Sequence, residues 1–241
     1  MLPGIASTNA ATVTVAVASN FSAAMHDIVE RFAADTGHTV RVSFASTGQL
    51  FVQIRNGAPF DAFLAADAAR PQLLEQSGQS IAGSRFTYAI GRLVLWSRDA
   101  ALAGGNCRSR LYSLGTGRLA IANPDTAPYG AAARDYLVAA GLWSRVKSQL
   151  VIGENIAQTM QFVASGNASL GFIAKAQSLD ARLPEAVCSW TVPDGLHQPI
   201  QQQAILLKRA IDDLVAAEFF KFLHGAVVRD IVARHGYALP E

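Results

Sequence analysis

Residues 12–66 repeat one rhythm, strand then helix, and no other feature of the chain narrows its possible folds as far. Residues 12–18 alternate Thr and Val with apolar neighbours and end at Ser19-Asn20, the pattern of a strand that hands over to a helix start. Phe21, Met25, Ile28 and Phe32 then fall on one helical face, with Asp27, Glu30 and Arg31 elsewhere. Thr36-Gly37-His38 breaks that helix, and residues 40–44 read as a second strand. Residues 46–56 read as a helix closed by Asn56-Gly57. Residues 60–66 form a third strand, with Asp67 opening a short helix. Strands joined through crossover helices pair in parallel, so the expected core is a mostly parallel sheet.

The rhythm resumes after residue 118: strand 119–122, helix 128–140, strand 150–153, helix 156–165, strand 169–174. Between the two runs, the apolar stretch 88–96 is placed to cross from one half to the other, and 203–208 to cross back. Two terminal helices follow, the first with Val215, Phe219 and Phe222 on one face. The expected architecture is therefore two α/β lobes joined by two crossover segments, with 1–88 and 203–241 in lobe I and 89–202 in lobe II. A chain of 241 residues, 51% of them apolar, has enough material for both cores.

Several function classes lose ground on composition. Twenty basic and eighteen acidic residues give a net charge of +2, spread along the chain with no basic block of the kind that marks nucleic-acid binding. No uncharged apolar run reaches the length of a membrane-spanning helix. Residues 1–11 lack a basic start and an apolar stretch, and read as the remnant of a trimmed signal peptide or simply as a starting segment. The two cysteines, Cys107 and Cys188, have no C-x-x-C spacing, which leaves two buried thiols or one long-range bridge as readings. The five histidines show no metal-ligand spacing, and neither a nucleophile elbow nor a phosphate-binding glycine loop occurs.

Ligands of open α/β sheets sit at the carboxyl ends of strands, where helices begin. Four loops occupy such places: Ala18-Ser19-Asn20-Phe21-Ser22, Ala45-Ser46-Thr47-Gly48-Gln49, Thr126-Ala127-Pro128-Tyr129-Gly130 and Gly153-Glu154-Asn155-Ile156-Ala157-Gln158. Ser46-x-x-Gln49 matches the capping box, Asn155-x-x-Gln158 is a looser version, and Pro128 suits a first helical turn. None of the loops carries Lys or Arg. They offer hydroxyls, carboxamides and unpaired backbone N–H groups beside the positive ends of helix dipoles, a set suited to a small dianion. Taken singly, a Ser or Asn at a helix start is more often a cap than a ligand. Glu154 is expected to point away from any anion.

These loops, with their flanks, resemble the molybdate-binding proteins of ABC importers from about Val13 to Ala238. The opening Val15-Ala16-Val17-Ala18-Ser19-Asn20-Phe21 and the second loop Ser43-Phe44-Ala45-Ser46-Thr47-Gly48-Gln49-Leu50 are similar to that family's. The stretch from Asn56-Gly57-Ala58-Pro59-Phe60-Asp61-Ala62-Phe63 to Asp67 resembles its G-A-P-x-D-x-F signature. Asn123-Pro124 through Tyr129-Gly130, Leu170 to Ala174, and Arg234-His235-Gly236-Tyr237 continue the likeness in order.

The resemblance implies a periplasmic-binding-protein-like fold and capture without catalysis. It also implies a periplasmic location, a bound molybdate or tungstate in place of a cofactor, and a membrane permease as partner. It further implies an oxyanion ligand set of Ser19 and Asn20 from the first loop, Thr47 with neighbouring Ser46 from the second, and the backbone N–H groups of Tyr129 and Ile156. Part of the family sets a Tyr hydroxyl on the ion where this chain has Ala174, and Asn20 is expected to replace that donor. Rival readings are a carrier of another tetrahedral oxyanion such as sulfate, an enzyme on the same bilobal fold, and an effector-sensing domain. An enzyme of the porphobilinogen-deaminase type would need a cofactor-bearing cysteine and clustered arginines in these loops, and they carry neither.

Overall fold

The computed structural model describes residues 10–180 and 185–240; most of the segment read as a leader remnant lies outside them. Strands β1 (Thr12–Ala18), β2 (Thr39–Ala45), β3 (Ala62–Ala65), β4 (Phe86–Gly91), β5 (Leu93–Ser97), β6 (Leu119–Ala122), β7 (Leu150–Gly153), β8 (Leu170–Ala174), β9 (Cys188–Thr191) and β10 (Ile200–Leu206) form two sheets. Their orders are β2-β1-β3-β10-β4 and β7-β6-β8-β5-β9. In the first, β2, β1 and β3 are parallel, and β10 runs against both β3 and β4. In the second, β7, β6 and β8 are parallel, and β5 runs against β8 and β9. Each sheet thus has one reversed strand, and that strand arrives from the other half of the molecule. The lobes repeat one topology without repeating a sequence.

The helices are α1 (Ser22–Thr36), α2 (Thr47–Arg55), α3 (Ala69–Gln76), α4 (Cys107–Tyr112), α5 (Pro128–Ala139), α6 (Trp143–Val146), α7 (Ile156–Ala164), α8 (Lys175–Ser178), α9 (Leu214–Leu223) and α10 (Ala226–Arg234). Helices cover the sheets, so the inner strands β3, β5, β6 and β8 are buried along their whole length, whereas the edge strand β2 alternates. Val13, Val15 and Val17 pack with Phe32 and Phe219 of α1 and α9, while Ala16 and Phe63 face Leu50 and Ile54 of α2. In the second sheet Leu93 and Leu95 join the cluster under α5, and Val94 and Trp96 join Met160 and Val163 of α7.

The stretch 88–96 crosses between the halves as expected, as two strands broken at the exposed Arg92, where the chain leaves the first sheet for the second; the return differs from expectation. The return lies between β9 and β10, and residues 203–206 belong to β10, paired with β3. Pro193, Gly195 and Pro199 explain the placement, since proline has no N–H to give a ladder. The sheets therefore change between Gly91 and Leu93 and between Thr191 and Ile200, not at residues 88/89 and 202/203. Gly91 and Ile200 are partners in the β4–β10 ladder, which sets the two crossings side by side.

Cys107 and Cys188 are bridged, with a Cα–Cα distance of 5.4 Å, tying α4 to the edge strand of the second sheet. Asp61, from the most specific stretch of the sequence, is buried away from the strand ends that carry the loops. Its carboxylate accepts the Thr14 N–H at 2.8 Å and Arg209 Nε at 2.8 Å, so it pins β1 to the chain after β10.

Candidate functional site

The four loops converge. Between the sheets lies a small cavity lined by Ala18, Ser19, Asn20, Ala45, Ser46, Thr47, Ala66, Ala127, Pro128, Tyr129 and Ile156. All six sequence-predicted residues are on its wall. Three come from the carboxyl ends of β1 and β2, one begins α2, and two belong to the starts of α5 and α7.

What this wall can do follows from the helix-start N–H groups and their partners. In α2, Gln49 N–H goes to Ser46 Oγ, and Gly48 N–H goes at 2.8 Å to the Thr126 carbonyl of the opposite lobe. That leaves Thr47. In α7, Asn155 Oδ1 accepts from Ala157 and Gln158, both at 3.0 Å, which leaves Ile156. In α5 the first position is Pro128, which has no N–H, and Tyr129 is next. In α2 and α7 the neighbouring donors are taken and one first-turn N–H is left; in α5 there is no side-chain cap, and proline removes the first donor ahead of Tyr129. These spared groups lie where the helix dipoles concentrate positive charge.

The hydroxyls divide in the same way. Thr47 Oγ1 accepts the Ala66 N–H at 3.0 Å, so its own proton is free to point inward. Ser19 is buried beside it on the wall. Ser46 lines the cavity and also caps α2: its hydroxyl donates to Gln49 Oε1 at 2.9 Å within a complete capping box. Asn20 differs from expectation. Its carboxamide donates to Gln202 Oε1 at 2.8 Å and to the Tyr237 hydroxyl at 3.1 Å, which commits both hydrogens behind the wall and leaves its backbone N–H for the cavity side. Ala174 does not line the cavity; its N–H goes to Gln177 Oε1, and Gln177 Nε2 reaches the Ile156 carbonyl at 3.0 Å, bracing the start of α7.

No residue of the lining is charged. Glu154 is exposed, as expected, and its N–H is held by Gln158 Oε1 at 2.7 Å. Arg70 pairs with Asp67 at the rim and donates to the Asp125 carbonyl of the other lobe at 3.0 Å. Behind the wall stand the hydroxyls of Tyr88, Tyr129 and Tyr237, each driven by burial to a pKa above its ordinary value and therefore neutral. Sequence reading missed Gln202 and Tyr88, which carry no motif of their own, and gave Gly48 no role although its loop was singled out. Among the described residues, no group of three or more His, Cys, Asp or Glu could hold a metal cation.

The model of the family described as bacterial extracellular solute-binding protein matches residues 13–238. The chain is 46% identical over 233 residues to the molybdate-binding protein ModA of Azotobacter vinelandii, covering 95% of this chain and 91% of that one. It is 40% identical over 228 residues to the ModA of Rhodobacter capsulatus, covering 95% and 88%. The structure of the Azotobacter vinelandii periplasmic molybdate-binding protein superposes with a TM-score of 0.89 at 36% identity, covering 95% of this chain and all of that one.

Proposed function

The chain belongs to the bacterial extracellular solute-binding proteins, and from that membership we infer that it captures molybdate for an ABC importer. The observation that carries the reading is the uncharged cavity walled by helix starts. A dehydrated dianion needs numerous convergent donors, and this wall supplies them without a formal cation. Ser19 and Thr47 donate hydroxyls; Asn20, Thr47, Tyr129 and Ile156 donate backbone N–H groups. Ser46 and the Asn20 carboxamide hold that frame.

Tungstate, with the same shape and charge, fits the same donors. Sulfate is smaller and leaves them stretched. A protonated phosphate brings a hydrogen that an all-donor wall cannot accept, a mismatch of the kind that costs about 1–3 kcal/mol. The two sheets are the cores of two lobes that hinge where β4 meets β5 and β9 leads to β10, close on the ion, and present the closed form to a membrane permease. A periplasmic location accords with the family and with the Cys107–Cys188 bridge, which an oxidising compartment favours.

Calorimetric titration of the desalted protein with molybdate, tungstate, sulfate and phosphate tests the reading. Tight binding of the first two alone is expected. Equal binding of sulfate would make this a general oxyanion carrier, and no binding of any ion would remove the function.

A further inference from the structure

Two residues beyond the hinge, Gln202 of β10 is fully buried and joins residues from both lobes. Its Oε1 accepts from Asn20 Nδ2 at 2.8 Å and from the Tyr88 hydroxyl at 3.0 Å, while its Nε2 donates to the Tyr129 hydroxyl at 3.2 Å. A register slip makes this possible: Gln202 pairs with Ala89 and Gln203 with Thr87, so Tyr88 is the extra residue of a bulge on β4. Bulges re-aim side chains, and this one brings the Tyr88 phenol to Gln202. Gly91 completes the arrangement, because a β-carbon there would collide with the Tyr129 hydroxyl and sit 2.8 Å from Gln202 Nε2. The space that glycine leaves lets the Tyr129 side chain reach back from the start of α5 to the hinge.

Asn20 and Tyr129 each offer the cavity a backbone N–H, one from either lobe, and each has its side chain held by the same carboxamide. We propose that Gln202 is a positioning residue for oxyanion capture, fixing the Asn20 and Tyr129 backbone donors relative to each other across the hinge in the closed form. This role rests on the oxyanion site proposed above. Gln202 touches no ion itself. It acts through two donors whose spacing a closed cavity must hold, and a buried network with every member paired is stiff enough to hold it. Only an amide serves unaltered, since one end must accept twice while the other donates.

The experiment uses sodium molybdate with the intact protein and three variants: Tyr129→Phe, Gln202→Leu and the double. Tyr129→Phe removes one oxygen and keeps the backbone donor. Each single variant should weaken binding about tenfold, and the double no more than the worse single, because the two act as one unit. The loss should appear in faster release with entry little changed. Gln202→Glu adds a readout that a merely structural role would not move. Around the carboxyl stand the neutral Asn20 and the phenols of Tyr88, Tyr129 and Tyr237, with Asp67, whose charge acts on Tyr88, the nearby acidic group; Asp67 is common to the unaltered protein, so the pH profile is read as the difference between the two proteins. At acid pH it donates and accepts as the amide does and should bind molybdate nearly as tightly as the unaltered protein, with affinity falling as the pH rises. Unchanged affinity in Tyr129→Phe, fully additive losses, or a flat pH profile in Gln202→Glu would each overturn the proposal. Should Gln202→Leu fail to fold, Tyr129→Phe and Gln202→Glu still decide it. Failure of the unaltered protein to bind molybdate would instead remove the site on which the proposal rests.

Discussion

At the scale of single residues, the cavity wall separates groups that donate from groups that hold the donors. Ser19→Ala and Thr47→Ala should each weaken molybdate binding by about 1–3 kcal/mol, the usual scale for a hydrogen bond to a charge. Calorimetry on the double variant is the check: normal binding would move the site elsewhere. Asp61→Ala makes the opposite prediction. It removes a buried carboxylate that pins Thr14 and Arg209, so melting temperature should fall by the equivalent of about 1–3 kcal/mol while molybdate affinity stays. The buried phenols set the pH behaviour. Their folded pKa values lie above the unfolded value near 10. Stability from this source is therefore intact below about pH 10 and declines above it, where the unfolded chain releases protons that the folded one retains. Thermal melts from pH 7 to 11 would show a plateau and then a fall; a decline centred near pH 8 would contradict it.

At the scale of elements, α2 reaches the opposite lobe through its second residue. A β-carbon on Gly48 would lie 2.9 Å from the Thr126 Cα and carbonyl oxygen, closer than such atoms approach, and would press on the contact that closes the cavity. Gly48→Ala should therefore speed molybdate release and lower affinity about tenfold or more, as stopped-flow release would show, with melting of the ligand-free protein little altered. How much of this was legible in the sequence depends on the distance over which each element is specified. The capping box of Ser46 and Gln49, the Asn155 cap and Pro128 at the start of α5 are written in four or fewer neighbouring letters, and the structure contains each of them. Even so, adjacent letters could not show that the Ser46 side chain, on the cavity wall, is also engaged in a capping box. The return crossing was misplaced because an apolar run such as 203–206 looks alike in a strand and in a connector, and only its pairing with β3 decides. Gln202 was invisible for a stronger reason: its partners lie 73, 114 and 182 residues away, and no local pattern marks a polar residue inside a strand as a hub.

At the scale of the whole molecule, closure and stability are linked. An ion that binds only the folded, closed form should raise stability by about 2.7 kcal/mol at a hundred times its dissociation constant, read as a shift in melting temperature with molybdate. The Cys107–Cys188 bridge lies within one lobe, away from the cavity. Replacing both cysteines by Ser should cost about 2–5 kcal/mol of stability while leaving molybdate affinity within a few fold, as melts and titrations of the variant would test. The uncharged lining has a consequence for where such a protein can work. A site that gripped its anion with lysines or arginines near the surface would loosen as dissolved salt shortened the Debye length from roughly 30 Å in dilute water to 3 Å in brine. Here the attraction comes from peptide dipoles and hydroxyls in direct contact with the ion, and no screening cloud fits between them. A cell that meets both rain and brine would keep the same hold on its molybdate.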